Sequence, residues 1–182
     1  MLNKFKNKKI IITGHTGFKG SWLALWLKLL GAKIIGISLD APTKPSHFIL
    51  LNLRKKKIYI KLDIRNLKKL EKIFKKYQPD FVFHLAAQSL VTRSYKDPIK
   101  TFTTNTVGTM NVLESLKKIN KRFAAIIVTS DKSYKNLEIK RGYHEKDLLG
   151  GSDPYSASKA AAEIIIQSFI NSYFKKNKSK NI

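Results

Sequence analysis

Tyr155 and Lys159 are the residues in this sequence whose types and spacing best suit acid–base chemistry. Residues four apart share one face of a helix, so the Lys159 ammonium could lie beside the Tyr155 phenol and stabilise its ionised form. A phenol ionises only near pH 10 in water, so it can act as a base at neutral pH only where positive charge stabilises the phenolate. The same spacing also occurs by chance on many helix surfaces. If these two residues were the only signal, we would interpret them as such a chance pair.

A second polar group, Thr129-Ser130-Asp131-Lys132, ends an apolar run that predicts a buried strand. Its hydroxyl, carboxyl and amine could orient a substrate hydroxyl, donate a proton, and accept or stabilise a proton. The alternative is an ordinary turn with one local ion pair, which we would prefer if Tyr155 and Lys159 did not follow. The two groups together indicate an active site.

A glycine-rich turn, Thr13 to Gly20, joins the first predicted strand to the first predicted helix. Gly14 would permit a tight turn, Gly17 would let the backbone approach a pyrophosphate, and Gly20 would permit close packing of helix on strand. The spacing is G-x-x-G-x-x-G, and the alternative is a glycine turn without a ligand. Because strand, turn and helix follow one another in the right order, we favour dinucleotide binding, with Phe18 also at the cofactor.

Two acidic residues follow the next strands. Asp40 could accept hydrogen bonds from an adenosine ribose and repel a 2′-phosphate, which favours NAD over NADP, although a turn-forming Asp explains it equally well and Lys44 could accommodate phosphate. Asp63, with Ile64 beside it, could bind the adenine, but an Asp that caps the next helix is the simpler interpretation.

Small residues end the fourth predicted strand. Ala86 and Ala87, followed by Gln88, would let a cofactor approach the backbone, and we expect His84 to be a buried, hydrogen-bonded histidine rather than a catalytic one. We also assign Asn105 and Thr129 to the cofactor site.

The elements that must position these residues alternate between strand and helix. The predicted strands are residues 9–13, 33–39, 57–62, 81–85 and 123–129, and the predicted helices are residues 17–30, 66–77, 98–118 and 155–174. The first helix carries Trp22, Leu23, Trp26, Leu27 and Leu30 along one side. Residues 131–153 predict an active-site loop, and residues 175–182 a polar tail. We therefore expect one Rossmann-like domain over residues 1–182, an α/β fold with a doubly wound parallel sheet.

Composition excludes several classes of protein. The chain has 182 residues, a formal charge of +24 and no cysteine, which rules out disulfides and thiolate metal sites, and we predict no metal site. The 31 Lys and 5 Arg are scattered and no recognition motif accompanies them, so we expect no specific nucleic-acid partner. No membrane span or signal peptide is expected, which predicts a cytoplasmic protein.

Seven segments carry a family resemblance: TGHTGFKG, SLDAPTKPS, DIRN, HLAAQSLVTRSYKDP, TTNTVGTMNVLE, VTSDKSY and GGSDPYSASKAAAE. In this order they resemble the extended short-chain dehydrogenase/reductases, and more narrowly the CDP-glucose 4,6-dehydratases. The resemblance implies tightly bound NAD, a nucleotide-sugar substrate, and a homodimer that pairs the helices near residues 98–118 and 155–174. It also implies a C-terminal substrate domain and last sheet strands that this chain lacks, so a separate C-terminal half is a further expected partner.

The resemblance also implies roles for the polar residues. Tyr155, assisted by Lys159 and Ser130, would remove the proton from the carbon-4 hydroxyl, and Asp131 would protonate the water that leaves from carbon 6. Lys132 stands where dTDP-glucose dehydratases have Glu, and whether it acts as a base at carbon 5 or stabilises an enolate is open. Two alternatives stay open. The chain could be another nucleotide-sugar epimerase or dehydratase, or it could be a catalytically silent NAD-binding or dimerising module.

Overall fold

A computed structural model describes residues 2–51, 58–175 and 180–181, and within these ranges it forms one parallel sheet covered by helices on both faces. The strands lie in the order β3-β2-β1-β4-β5-β6. Their bounds are β1 Lys9–Thr13, β2 Lys33–Ser38, β3 Ile58–Lys61, β4 Phe81–His84, β5 Phe123–Ile127 and β6 Lys180–Asn181. This order confirms the predicted doubly wound, Rossmann-like sheet, and it places the reversal of strand order between β1 and β4.

Seven α-helices connect or follow the strands within the described ranges. They are α1 Phe18–Leu29, α2 His47–Leu50, α3 Leu67–Tyr77, α4 Val91–Lys96, α5 Pro98–Phe102, α6 Gly108–Leu116 and α7 Pro154–Phe169. The predicted helix over residues 98–118 is α5 and α6 joined by a π-helical turn, and the predicted helix over 155–174 is α7 followed by a second π-helical turn. The sequence prediction omitted the short helices α2 and α4.

Strand β1 shows why the sheet forms where the apolar runs lie. Ile10, Ile11 and Ile12 are fully buried, because consecutive side chains of a strand point to opposite faces and both faces are covered. Ile10 and Ile12 pack with Leu27 of α1, whereas Ile11 packs in the larger cluster that includes Leu70 of α3. Each such side chain stabilises the fold by roughly 2–3 kcal/mol.

Helix α1 packs with a different face from the one that its large residues suggest. Trp22 and Trp26 were expected on the same side as Leu27, but they are 51% and 61% exposed. The buried face instead consists of Gly20, Ser21, Ala24 and Leu27. Small residues let this face pack close to the sheet, whereas the Trp22 ring stacks on His47 with centroids 4.0 Å apart.

The last described residues differ from the predicted polar tail. Lys180 and Asn181 pair in parallel with Phe123 and Ala124, so a sixth strand begins at the edge of the sheet. The first residue of the predicted third strand, Lys57, lies outside the described residues.

Residues 131–153 form the expected loop, and local contacts hold it in place. Tyr134 and Leu149 form an isolated antiparallel bridge, and the rings of Tyr134 and Tyr143 stack with centroids 5.4 Å apart. Arg141 donates two hydrogen bonds of 2.7 Å to Asp147. Among the helices that the structure describes, none has both the length and the apolar character needed to cross a membrane.

Candidate functional site

A cleft of about 800 Å³ lies at the carboxyl ends of the strands, where the strand order reverses. It gathers predicted site residues from six separate segments of the chain. These are Gly14, Gly17, Phe18, Gly20, Asp40, Asp63, Ile64, Ala86, Ala87, Gln88, Thr129, Tyr155 and Lys159. The volume is in the range of cofactor-sized pockets in proteins.

The glycine turn is packed so closely that two of its positions have no room for a side chain. Gly14 has φ of +76°, and a Cβ there would lie 2.6 Å from the Ala86 nitrogen. A Cβ on Gly20 would collide with the Gly14 carbonyl oxygen, so Gly20 packs on the turn itself rather than on the strand. The turn therefore keeps its backbone exposed to the cleft.

The N-terminus of α1 faces the cleft and suits an anionic group. Gly17 is its N-cap and provides no side chain to the first backbone N–H groups. Uncapped N–H groups and the positive end of the helix dipole stabilise a phosphate. Lys19, in the first turn, also lines the cleft and adds positive charge.

The two predicted adenosine-binding carboxylates both lie at the cleft, and each has a basic neighbour. Asp40 forms an ion pair with Lys61 on β3. Asp63 accepts hydrogen bonds from the Arg65 side chain and backbone, and the side-chain bonds hold the pKa of Asp63 below its usual range. Asp63 does not cap the next helix, because Asn66 is the residue that accepts a hydrogen bond from Lys69.

Asn105 lies behind the cleft wall rather than in it. It is 1% exposed, its side-chain oxygen accepts from the Gln88 backbone N–H at 2.8 Å, and its amide donates to the Gln88 carbonyl at 3.0 Å and to Ser158 at 2.9 Å. Asn105 therefore fixes the backbone that follows β4 and ties it to α7.

His84 is buried and hydrogen-bonded at both ring nitrogens, as expected. The Thr109 hydroxyl donates to the Asn105 carbonyl at 2.6 Å, so it can only accept, at 3.0 Å, from the N–H at Nε2 of His84. Nδ1 then accepts from the Thr13 hydroxyl at 2.6 Å, and the Ala86 N–H donates to that hydroxyl oxygen at 3.3 Å. Burial, assisted by the charge of Lys159, lowers the pKa of His84 to about 3, so the ring is neutral.

Tyr155 and Lys159 lie in the first turns of α7, where they are 8% and 6% exposed and line the cleft. Asp153 caps this helix through a 3.0 Å bond from the Ser156 N–H, and Pro154 begins it. Burial lowers the pKa of Lys159 to about 8, the charge of Glu163 raises it and the charge of Lys19 lowers it further. The cleft thus holds an amine that titrates near physiological pH next to a buried phenol.

Ser130, Asp131 and Lys132 are not part of the cleft wall. Asp131 and Lys132 are exposed on a short 3₁₀ turn, Asp131–Ser133, that Ser130 caps by accepting from the Lys132 N–H at 3.2 Å. The Ser130 hydroxyl donates to Asp131 at 3.1 Å. The structure therefore brings this group to the end of β5, where the turn packs against α7, and leaves the Asp131 and Lys132 side chains outside the cleft wall.

Several residues at the site were not predicted from the sequence. The cleft is also lined by four basic residues, Lys19, Arg65, Arg93 and Lys100. Glu163 accepts a hydrogen bond from the Thr129 hydroxyl at the end of β5. Its spacing of four residues after Lys159 was a signal that could have identified it.

Comparison with known sequences gives one family and a consistent set of relatives. The sequence profile of the GDP-mannose 4,6 dehydratase family matches residues 11–177. The chain is 46% identical over 172 residues to a CDP-glucose 4,6-dehydratase of Salmonella typhimurium, covering 94% of this chain and 48% of the relative. It is 37% identical over 182 residues to a dTDP-D-glucose 4,6-dehydratase of Dictyostelium discoideum, covering 91% and 41%. The chain thus spans about half the length of these curated relatives.

Solved structures share the fold. UDP-glucose 4-epimerase of Thermus thermophilus in complex with NAD superimposes with a TM-score of 0.77 at 27% identity, covering 91% of this chain and 51% of that one. UDP-glucose 4-epimerase of Thermotoga maritima with UDP-glucose gives a TM-score of 0.79 at 26% identity, covering 91% and 52%.

Proposed function

The chain belongs to the GDP-mannose 4,6 dehydratase family, and from this premise we propose that it is the cofactor-binding part of an NAD-dependent nucleotide-sugar 4,6-dehydratase. One observation carries the proposal. A single cleft has a tightly packed glycine turn on one wall and the buried pair Tyr155 and Lys159 on another. This arrangement can hold a dinucleotide beside an acid–base pair.

The residues of the cleft fit NAD in three places. The uncapped N-terminus of α1, with Lys19, would hold the pyrophosphate. Asp40 would accept hydrogen bonds from the adenosine ribose, and Asp63 and Ile64 would lie at the adenine. Gly14, which approaches the backbone of Ala86, puts no side chain on the floor of the cleft. The epimerase of T. thermophilus, whose structure contains NAD, supports the assignment.

NAD, when bound, would accept the hydride from carbon 4 of the sugar and later return a hydride to carbon 6. Tyr155 would take the proton from the carbon-4 hydroxyl, and the Lys159 ammonium would stabilise the phenolate that makes this possible. Ser130 would hydrogen-bond to the same hydroxyl.

The 3₁₀ turn would act on the other side of the sugar. The ketone at carbon 4 acidifies the hydrogen on carbon 5, and loss of this proton expels the carbon-6 hydroxyl as water. Asp131 would donate the proton that completes this water molecule. Lys132 would receive the carbon-5 proton or stabilise the enolate, and it can act as a base only if it is neutral. When carbon 6 has received the hydride, a proton must return to carbon 5 to complete the 4-keto-6-deoxy sugar.

We further propose CDP-glucose as the substrate. The chain is more similar to the CDP-glucose 4,6-dehydratase of S. typhimurium than to the dTDP-D-glucose 4,6-dehydratase of D. discoideum, with 46% against 37% identity. Lys132 supports the same assignment, because the resembling dTDP-sugar enzymes place Glu there.

Two measurements test these proposals. Calorimetric titration with NAD and with NADP should show saturable binding that is tighter for NAD. Incubation with NAD and CDP-glucose, with and without a separately produced C-terminal half of a relative, should form a 4-keto-6-deoxy sugar detectable by mass. Formation of the product from dTDP-glucose alone would refute the CDP assignment, and no product in any mixture would refute the enzymatic proposal.

One observation favours a second candidate, a catalytically silent NAD-binding module. The side chains of Asp131 and Lys132 are exposed outside the cleft. Binding of NAD without product formation in the mixtures above would support this candidate over the dehydratase.

We also propose that the protein forms a homodimer through α5, α6 and α7. Helices α5 and α6 each contact α7, and apolar side chains on this face are exposed, including Ile99 at 77% and Ile164 at 60% exposure. Sedimentation should show a dimer that Ile164→Glu disrupts, whereas Leu50→Glu, at an exposed leucine on α2, should leave it intact. A monomeric wild-type protein would refute the dimer. The cytoplasmic location stays a prediction.

A further inference from the structure

Glu163 is a half-buried acidic residue on α7 to which neither the sequence patterns nor the proposed reaction gives a role. It lies one turn after Lys159, which lies one turn after Tyr155, so the three residues share one face of the helix. Its carboxylate accepts a hydrogen bond from the Thr129 hydroxyl, 34 residues away in sequence. Thr129 follows β5, lines the cleft and directly precedes Ser130.

Two charged groups, one on α7 and one on α1, act on the Lys159 ammonium. Glu163 acts from α7 and raises the pKa of Lys159, whereas Lys19 acts from the start of α1 and lowers it. His84 on β4 is neutral and contributes no charge of its own. Tyr155 lies one turn before on α7. The Glu163 carboxylate is therefore the group that counteracts both the burial of the ammonium and the repulsion from Lys19.

We propose that Glu163 is a positioning residue whose carboxylate lies one turn from the Lys159 ammonium on the face shared with Tyr155, sets the local charge there, and at the same time fixes the end of β5 through Thr129. The carboxylate links the helix that carries the acid–base pair to the strand end that carries Ser130. Its part in catalysis rests on the proposed function, but its effect on the charge of Lys159 is a property of the folded chain and needs no turnover.

The two contacts of Glu163 can be separated by substitution. Glu163→Gln removes the negative charge and keeps a side-chain oxygen that can accept from Thr129. Thr129→Val removes the hydrogen bond and keeps the charge. If Glu163 acts as proposed, the first change alters the titration of Lys159 and the second leaves it largely unaltered.

The test is a titration of Lys159 by NMR on protein labelled with ¹³C at lysine Cε, with the resonance assigned from Lys159→Arg. In the wild-type protein the midpoint should lie near 8, well separated from those of exposed lysines. In Glu163→Gln it should fall by about one pH unit. Lys19→Gln should move it in the opposite direction, because that substitution removes a repulsive charge.

Glu114→Gln is the matched control, since Glu114 lies on α6 and forms an ion pair with Lys117 on the protein surface. It should leave the Lys159 midpoint unaltered. An unaltered midpoint in folded Glu163→Gln would overturn the proposal, as would a fall of the same size in the control. Because the readout is the lysine resonance, a protein without dehydratase activity would still give a decisive result.

Discussion

The two groups of polar residues expected to do chemistry lie in contrasting surroundings. Tyr155 and Lys159 are almost completely buried in the cleft, on a capped helix. Asp131 and Lys132 lie on an exposed 3₁₀ turn outside it. The chain therefore holds one group inside the cleft, whereas the other group lies on an exposed turn that packs against α7 with its charged side chains outside the cleft wall.

The contrast also has an energetic side. Burial of the Lys159 ammonium opposes folding, because its charge loses hydration that the protein only partly replaces. An exposed lysine such as Lys132 has no such cost. A buried charge retained at a destabilising position is typical of a functional site.

The largest effect is expected at the glycine turn, on the buried side of this comparison. Gly20→Ala places a Cβ against the Gly14 carbonyl oxygen, so the backbone must shift. We expect a loss of roughly 2 kcal/mol or more in the free energy of unfolding, and a loss of roughly 100-fold in NAD affinity if the turn holds the pyrophosphate. Urea denaturation and calorimetry measure the two quantities.

Gly142→Ala is the matched control for this turn, because a Cβ there meets no atom within 4 Å. Its effect on stability should lie within about 0.5 kcal/mol. Equal effects of the two substitutions would mean that the glycine turn is not the constrained element that the structure shows.

Removal of the buried charge of Lys159 is expected to raise the free energy of unfolding, by an amount smaller than the loss at Gly20. The pKa of Lys159 is about 8 in the folded protein, whereas its ordinary value is 10.5. The buried ammonium therefore destabilises the fold fully below pH 8, and this destabilisation is lost as the pH rises from 8 to 10.5. Lys159→Met should therefore be more stable than wild type at pH 7 by about 1–3 kcal/mol. Denaturant titrations at several pH values should show the difference narrowing above pH 8.

Lys132→Met provides the comparison on the exposed turn. This substitution removes a positive charge that is exposed rather than buried. The free energy of unfolding of the variant should therefore equal that of the wild-type protein at every pH. Stabilisation by Lys132→Met as large as that by Lys159→Met would contradict the contrast between the two groups.

The smallest effect on stability is expected at Asp131. Asp131→Asn should change the free energy of unfolding by less than about 0.5 kcal/mol, since the side chain is exposed. NAD affinity should also be unaltered, whereas turnover in a mixture that forms product should fall roughly 100-fold. A substantial loss of NAD affinity would instead place Asp131 in the cofactor site.

Local sequence patterns predicted much of this structure. They failed where contacts between residues far apart in sequence determine which side chains are buried. The strand β1, the glycine turn and the pair Tyr155 and Lys159 are continuous segments, and each carries its own signal. The exposure of the Trp22 and Trp26 side chains was not predicted. The face of α1 that packs on the sheet is instead the one that carries its small residues.

Two further misses have related causes. Helix α2 is four residues long and too short to show a helical period. The spacing of Glu163 after Lys159 was a local signal, but no local pattern reveals its hydrogen bond with Thr129, which lies 34 residues away.

The hydrogen-bonded chain through His84 gives this site a built-in spectroscopic reporter. Its Nε2 proton is enclosed between the ring and the Thr109 oxygen, so it should exchange slowly with water and give a resolved imidazole N–H resonance. The chain begins at the Thr13 oxygen, which accepts from Ala86 on the floor of the cleft. Any ligand that displaces this floor would therefore shift the His84 N–H resonance, which lies far from the crowded amide region of the spectrum. Occupancy of the cleft could then be measured without a label on the ligand.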